Sequence, residues 1–168
     1  AMATELRNSE GVVGGIVKAT TKAKDGETHI GTSRDETGKK HKEQTDAEVV
    51  VMPSGALGSV SFIHEKGRVS LERLNELHPT LINTLVNHEG IGFVLVYSEK
   101  DGDIVLGKHG TRYLNTGKVK GKDPLELYGP NAADHVARTS SFPHCPDIVL
   151  NATYWPDTEE SAAFEELV

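Results

Sequence analysis

The 168-residue sequence predicts an α+β fold: a mixed sheet with a few helices packed on it, preceded by a flexible charged stretch. Three observations carry this expectation. Short apolar, β-branched runs alternate along the chain with segments whose apolar residues recur at helical spacing. No unit repeats. Large apolar side chains are nearly absent from Lys18 to Glu48, so the core is expected to begin near Glu48.

Ala1 precedes Met2, an order that no natural translation start gives, so the first two or three residues read as a cloning remnant. Val12, Val13, Ile16 and Val17 read as a short strand or a connector, and the double glycine between them leaves the segment unassigned. From Lys18 to Glu48 there are seven basic and seven acidic residues, with Ile30 as the single large apolar side chain. Ordering such a stretch costs backbone entropy that apolar burial cannot offset, so it reads as a flexible linker. The expected division is therefore residues 1–47 as remnant, connector and linker, and 48–168 as one α+β subdomain.

Val49 to Met52, ended by Pro53, Ser54 and Gly55, and the period-two alternation of Ser59 to Ile63 predict two strands joined by a turn. Ser70 stands as an N-cap before Leu71, Leu74 and Leu77, which predicts a helix from Leu71 to His78. Pro79 suits the first turn of a second helix carrying Leu81, Ile82, Leu85 and Val86 on one face and ending before Gly90. Phe93 to Val96 reads as a strand covered on both faces, and Asp101-Gly102 as the hairpin turn before Ile104 to Leu106. Thr111 to Leu114 predicts another strand, Asp123-Pro124 opens a short helical or turn segment, and Ala132 to Arg138 forms a helix behind Asn131. Asp147 to Ala152 and Ala162 to Val168 complete the expected strands, separated by a Trp155-Pro156-Asp157 turn. The apolar run at Ala162 to Val168 also predicts that a parent chain continues beyond it.

Composition narrows the function classes. The formal net charge is −7, and no basic stripe is interleaved with aromatics, so the sequence offers no nucleic-acid surface. No run approaches the roughly 18 apolar residues of a membrane span, so no membrane segment is expected in this chain and the piece reads as soluble. The single cysteine, Cys145, excludes an internal disulfide and any multi-cysteine zinc site.

Eight histidines prompt a search for metal ligands, but none are spaced i, i+4 and no His-Glu-x-x-His run occurs. The strongest local cluster is His135, His144, Cys145 and Asp147, with His135, His144 and Asp147 as the candidate metal ligands. The plainer reading puts His144 and Cys145 in a turn bracketed by Pro143 and Pro146, with Cys145 as a small buried hydrophobe. Asp134-His135 and His109-Gly110 are two-residue matches to phosphoesterase ligand motifs in the wrong setting. Neighbouring side chains on a helix point about 100° apart, and a glycine after a strand makes a turn. Cys145 lacks a basic pocket that would make it a nucleophile, and Ser54 lacks a Gly-x-Ser-x-Gly elbow. Gly55 and Gly58 lack the order of a phosphate loop.

Several runs taken together carry a resemblance. They are Val49 to Phe62 (VVVMPSGALGSVSF), Gly67 to Leu74 (GRVSLERL), His88 to Val96 (HEGIGFVLV), Gly107 to Leu114 (GKHGTRYL), Gly121 to Leu125 (GKDPL), Tyr128 to Ala133 (YGPNAA) and Ala162 to Val168 (AAFEELV). In this order they resemble the C-terminal part of bacterial proteins of the alkaline phosphatase superfamily, the type I phosphodiesterase and nucleotide pyrophosphatase-like members. The resemblance covers Glu48 to the end. It implies a parent enzyme, cytoplasmic or membrane-associated, that hydrolyses a phosphate ester with two divalent metal ions, commonly zinc, held by Asp and His ligands beside a Ser or Thr nucleophile. The ligand motifs of that family have no counterpart here, so no catalytic residue is carried over and no cofactor is expected in this fragment. The expected partner is the remainder of the parent chain, whose active site this subdomain flanks or caps. Two readings stand beside it: a self-contained binding or interaction module that docks through its strand edges with Lys18 to Glu48 as a tether, and a small metalloenzyme built on His135, His144 and Asp147.

Overall fold

The computed structural model describes residues 48–165 and, upstream, the backbone of two three-residue strands, β1 (Lys22–Lys24) and β2 (Glu27–His29), which pair antiparallel. The connector at Val12 to Val17, the rest of the charged linker and residues 166–168 lie outside the described residues.

β3 (Val49–Ser54) and β4 (Leu57–Phe62) form a hairpin turned by Gly55 and Ala56. Helices α1 (Leu71–Leu77) and α2 (Leu81–Asn87) follow. A meander comes next: β5 (Ile91–Ser98), β6 (Gly102–Gly107), β7 (Gly110–Tyr113) and β8 (Val119–Gly121). A 3-10 turn (Glu126–Tyr128) and α3 (Ala132–Ser140) lead to β9 (Ile148–Ala152), and β10 (Tyr154–Trp155) pairs with β11 (Glu160–Ser161) as a separate hairpin. The seven-stranded sheet has the order β3-β4-β9-β5-β6-β7-β8, with antiparallel strand pairs and one isolated parallel bridge between Ser70 and Tyr97. This is the expected α+β class.

β9 inserts between β4 and β5 and runs antiparallel to both, so β4 and β5 are parallel and α1–α2 is the crossover that joins them. The crossover covers one face. Leu74, Leu81, Ile82 and Leu85 pack there on Val60, Phe62, Val94, Val96, Ile104, Ile148 and Leu150. The opposite face carries a smaller core in which Leu125 and Ala132, with Tyr128 and Val136 beside them, lie on Phe93, Leu95, Val105 and Val149. Alternate residues of β5 therefore feed different cores, which is why Phe93 to Val96 is apolar without interruption.

The α1 signals act as predicted. The Ser70 hydroxyl accepts from the Arg73 N–H at 3.2 Å and donates to Glu99 at 2.8 Å, which also ties the helix to the end of β5. Three boundaries differ from expectation. β3 runs through Pro53, because the hairpin register points the Pro53 backbone nitrogen away from β4, where no N–H is needed. Pro79 precedes the Thr80 cap of α2 and so lies just outside the helix. The strand expected from Ala162 does not form among the described residues of that run: Ala162 and Phe164 are buried and Ala163 is exposed, as a strand alternates, but their amides bond to Thr153 and to the Gly55 turn instead of a ladder.

Candidate functional site

The 3-10 turn and the start of α3 sit over the β7 side of the sheet and leave a cleft of about 340 Å³ lined by Arg112, Asp123, Glu126, Gly129, Pro130 and Ala132, among others. Arg112 is an inward-facing cation on β7, paired with Val105 on β6 and Val119 on β8. Its guanidinium meets the Asp123 carboxylate in an ion pair, both side chains being about one-quarter exposed (24% each). Asp123 also accepts the Leu125 N–H at 3.0 Å, so one carboxylate holds the cation and shapes the turn that carries Pro124. The Arg112 Nε is buried and meets no hydrogen-bond partner among the described residues.

The segment after β8 approaches closely because position 110 has no side chain. A Cβ on Gly110 would lie 2.1 Å from the Lys122 carbonyl oxygen, so the chain carrying Asp123 reaches Arg112 only over a glycine. Gly92 does the same for Tyr128. A Cβ there would overlap the phenolic oxygen, which instead donates to the Ala152 carbonyl at 2.9 Å while the ring meets Phe93 edge-on at 4.9 Å. Burial pushes the Tyr128 hydroxyl above its usual value, so it remains a neutral donor.

A second polar cluster lies at the opposite end of α3. Arg68 Nη1 donates to Asp103 at 3.0 Å, to the Ser140 hydroxyl at 2.8 Å and to the Ser140 carbonyl at 3.2 Å, placing a cation at the helix C-terminus. Nearby, the buried Asp147 accepts the Phe62 N–H and the Val69 N–H, one on each carboxylate oxygen and each at 2.7 Å.

The residues singled out from the sequence fall around this cluster without forming a metal centre. His135 and His144 are exposed, whereas Asp147 is buried with both oxygens committed to backbone amides. No group of three or more His, Cys, Asp or Glu side chains is placed to hold a metal ion among the described residues. Cys145 is half-buried against the second core. Its thiol is pushed up by burial, which the Arg68 charge only partly opposes, so it stays protonated at neutral pH. Asp134 and His135 are exposed on α3, His109 is exposed in the β6–β7 turn, and Ser54 is exposed at the end of β3. Gly55 makes a turn at φ +55°, and Gly58 receives the Phe164 ring. Sequence reasoning passed over Arg68 and Arg112. The sequence offered only a cation flanked by Thr111 and Tyr113 in a predicted strand, a pattern that a solvated side chain and a paired one share.

Compared with known proteins, the chain matches no family model, no curated protein and no solved structure.

Proposed function

We propose that this chain is a subdomain of a metal-dependent phosphoesterase-like protein of the phosphodiesterase and nucleotide pyrophosphatase type, flanking or capping the active site rather than carrying it. The observation that supports the reading is a convergence. The cleft around Arg112 draws its walls from three of the separate runs that carry the resemblance, Gly107 to Leu114, Gly121 to Leu125 and Tyr128 to Ala133. A concave surface of this size with a convergent Arg112–Asp123 pair suits a small polar group, such as part of a substrate presented by another part of the parent protein. In this reading Arg112 and Asp123 hold the cleft in shape, the parent supplies two divalent metal ions, and phosphate-ester chemistry takes place outside this chain.

Hydrolysis of a bis(nitrophenyl) phosphate diester by the purified chain, with zinc or manganese added, tests the reading directly. No chelator-sensitive turnover above the buffer rate is expected. Multiple turnovers that vanish with chelator and with His135→Ala or His144→Ala, both exposed positions, would replace it with the small-metalloenzyme reading.

A further inference from the structure

The seven-stranded sheet ends in β3 on one side and β8 on the other, and the two edges offer different groups. On β3 the outward backbone nitrogen at position 53 belongs to proline and donates nothing. The β8 edge is open. The Tyr113 N–H donates to the Lys118 carbonyl at 2.8 Å and the Lys122 N–H donates to the His109 carbonyl at 3.0 Å, so positions 118 and 122 bond toward β7. By antiparallel alternation Val119, opposite Arg112, turns its own N–H and carbonyl outward, and its side chain is 36% exposed.

This edge is also the cationic pole of an acidic chain. Residues 107–122 hold five basic side chains, Lys108, Arg112, Lys118, Lys120 and Lys122, and no carboxylate, whereas the rest of the sequence holds thirteen basic residues against twenty-five acidic ones. Arg112 is paired with Asp123, and Lys122 has Glu126 at 3.8 Å. Lys118 and Lys120 are exposed and meet no carboxylate among the described residues. Lys120 lies opposite Thr111, which lies opposite Leu106 at the margin of the α1–α2 core, and Lys118 projects to the same side two residues earlier. The α1–α2 crossover rests on β5 and β6, which leaves both lysines in solvent beyond it. Two lysines thus stand about 7 Å apart along one face, with an outward backbone pair between them. A second copy is deterred, because its own β8 would set lysine against lysine. A strand of opposite charge is complementary.

We propose that the β8 edge takes an extended acidic segment of a partner polypeptide as an added strand. One partner residue pairs with the outward Val119 backbone, and carboxylates on the residues either side of it lie across from Lys118 and Lys120, within cross-strand reach. The recognised pattern is acidic, any residue, acidic. This contact is independent of the phosphoesterase reading. The test uses the full chain at low salt with a capped Glu-Val-Glu-Val-Glu-Val peptide as the probe, and the readout is hydrogen exchange of the Val119 amide by NMR. Saturating peptide is expected to slow that exchange at least several-fold and to leave the amides of β5 unchanged. The double variant Lys118→Glu, Lys120→Glu should weaken peptide binding by roughly tenfold or more, whereas Lys108→Glu, in the β6–β7 turn, should change it less than about twofold. Val119→Pro removes an N–H that β7 does not use and alters no charge, and it should weaken binding at least several-fold. Absence of binding at millimolar peptide, binding that leaves Val119 exchange unchanged, or binding that survives both the double variant and Val119→Pro would overturn the proposal. Tighter binding of an oligothymidylate or of phosphatidylglycerol vesicles at the same salt would overturn it in favour of a phosphate-bearing partner.

Discussion

Asp147 joins three segments through one carboxylate, since it sits at the entry to β9 and accepts amides from the end of β4 and from the residue before the α1 cap. Asp147→Ala leaves two buried N–H groups without acceptors, and a loss of about 3 kcal/mol in urea unfolding is expected. Glu72 supplies the pH dependence at this scale. Burial alone would push its carboxyl up, but hydrogen bonds from the Ser98 hydroxyl at 2.6 Å and the Glu99 amide at 3.0 Å, with other backbone groups, outweigh that and lower it below the usual 4.5. A carboxyl lowered on folding stabilises the protein above its unfolded pKa, and the contribution is lost as pH falls through the folded value. The stability advantage of the native chain over Glu72→Gln should therefore be full near neutrality and shrink below about pH 4.5. Urea midpoints measured across that range check the sign, and an advantage that grows on acidification would contradict it. The sequence marked Asp147 as a polar residue beside Cys145 and a proline, but a structural clamp and a metal ligand are the same letter. What distinguishes them is the pair of backbone amides, brought from 78 and 85 residues away.

At the scale of elements, α1 was legible down to its cap, because Ser70 and the Leu71, Leu74 and Leu77 spacing are local signals. Ser70→Ala should cost about 1 kcal/mol, read by denaturant unfolding. β5 was legible for the same reason: a strand buried on both sides has to be apolar throughout. β8 was not foreseen, since Val119–Gly121 is three exposed residues flanked by lysines, and only its pairing with β7 makes it a strand. The terminal run from Ala162 shows the converse. Its burial alternates as in a strand, yet the hydrogen bonds it finds are those of a turn and an adjoining loop, which depend on where β3 and β4 place Gly55. Gly110→Ala tests how β7 and β8 are held. The added Cβ meets the Lys122 backbone, so amide exchange of Val119 to Lys122 should accelerate while that of β5 is unchanged. Equal acceleration in β5 would show that β8 and the central strands open as one unit.

For the whole molecule, the α+β class follows from the alternation of short apolar runs with helical spacings, and the two-sided core follows from β5. The strand order was beyond reach, because β9 arrives last and enters the middle of the sheet, a long-range event without a local signal. The cleft was hidden for the same reason: Arg112, Asp123 and Ala132 are neighbours only through the sheet register and the turn over Gly110. No helix among the described residues is long and apolar enough to cross a membrane. The claim on which the functional reading rests is that this chain frames a metal-dependent site without owning the ligands. Elemental analysis of the purified chain, incubated with excess zinc and then dialysed without chelator, tests it most directly. We expect well under one zinc per chain and the same value for His135→Ala and His144→Ala. One or more zinc ions retained per chain, and lost in those variants, would contradict it and make His135, His144 and Asp147 the place to look for chemistry.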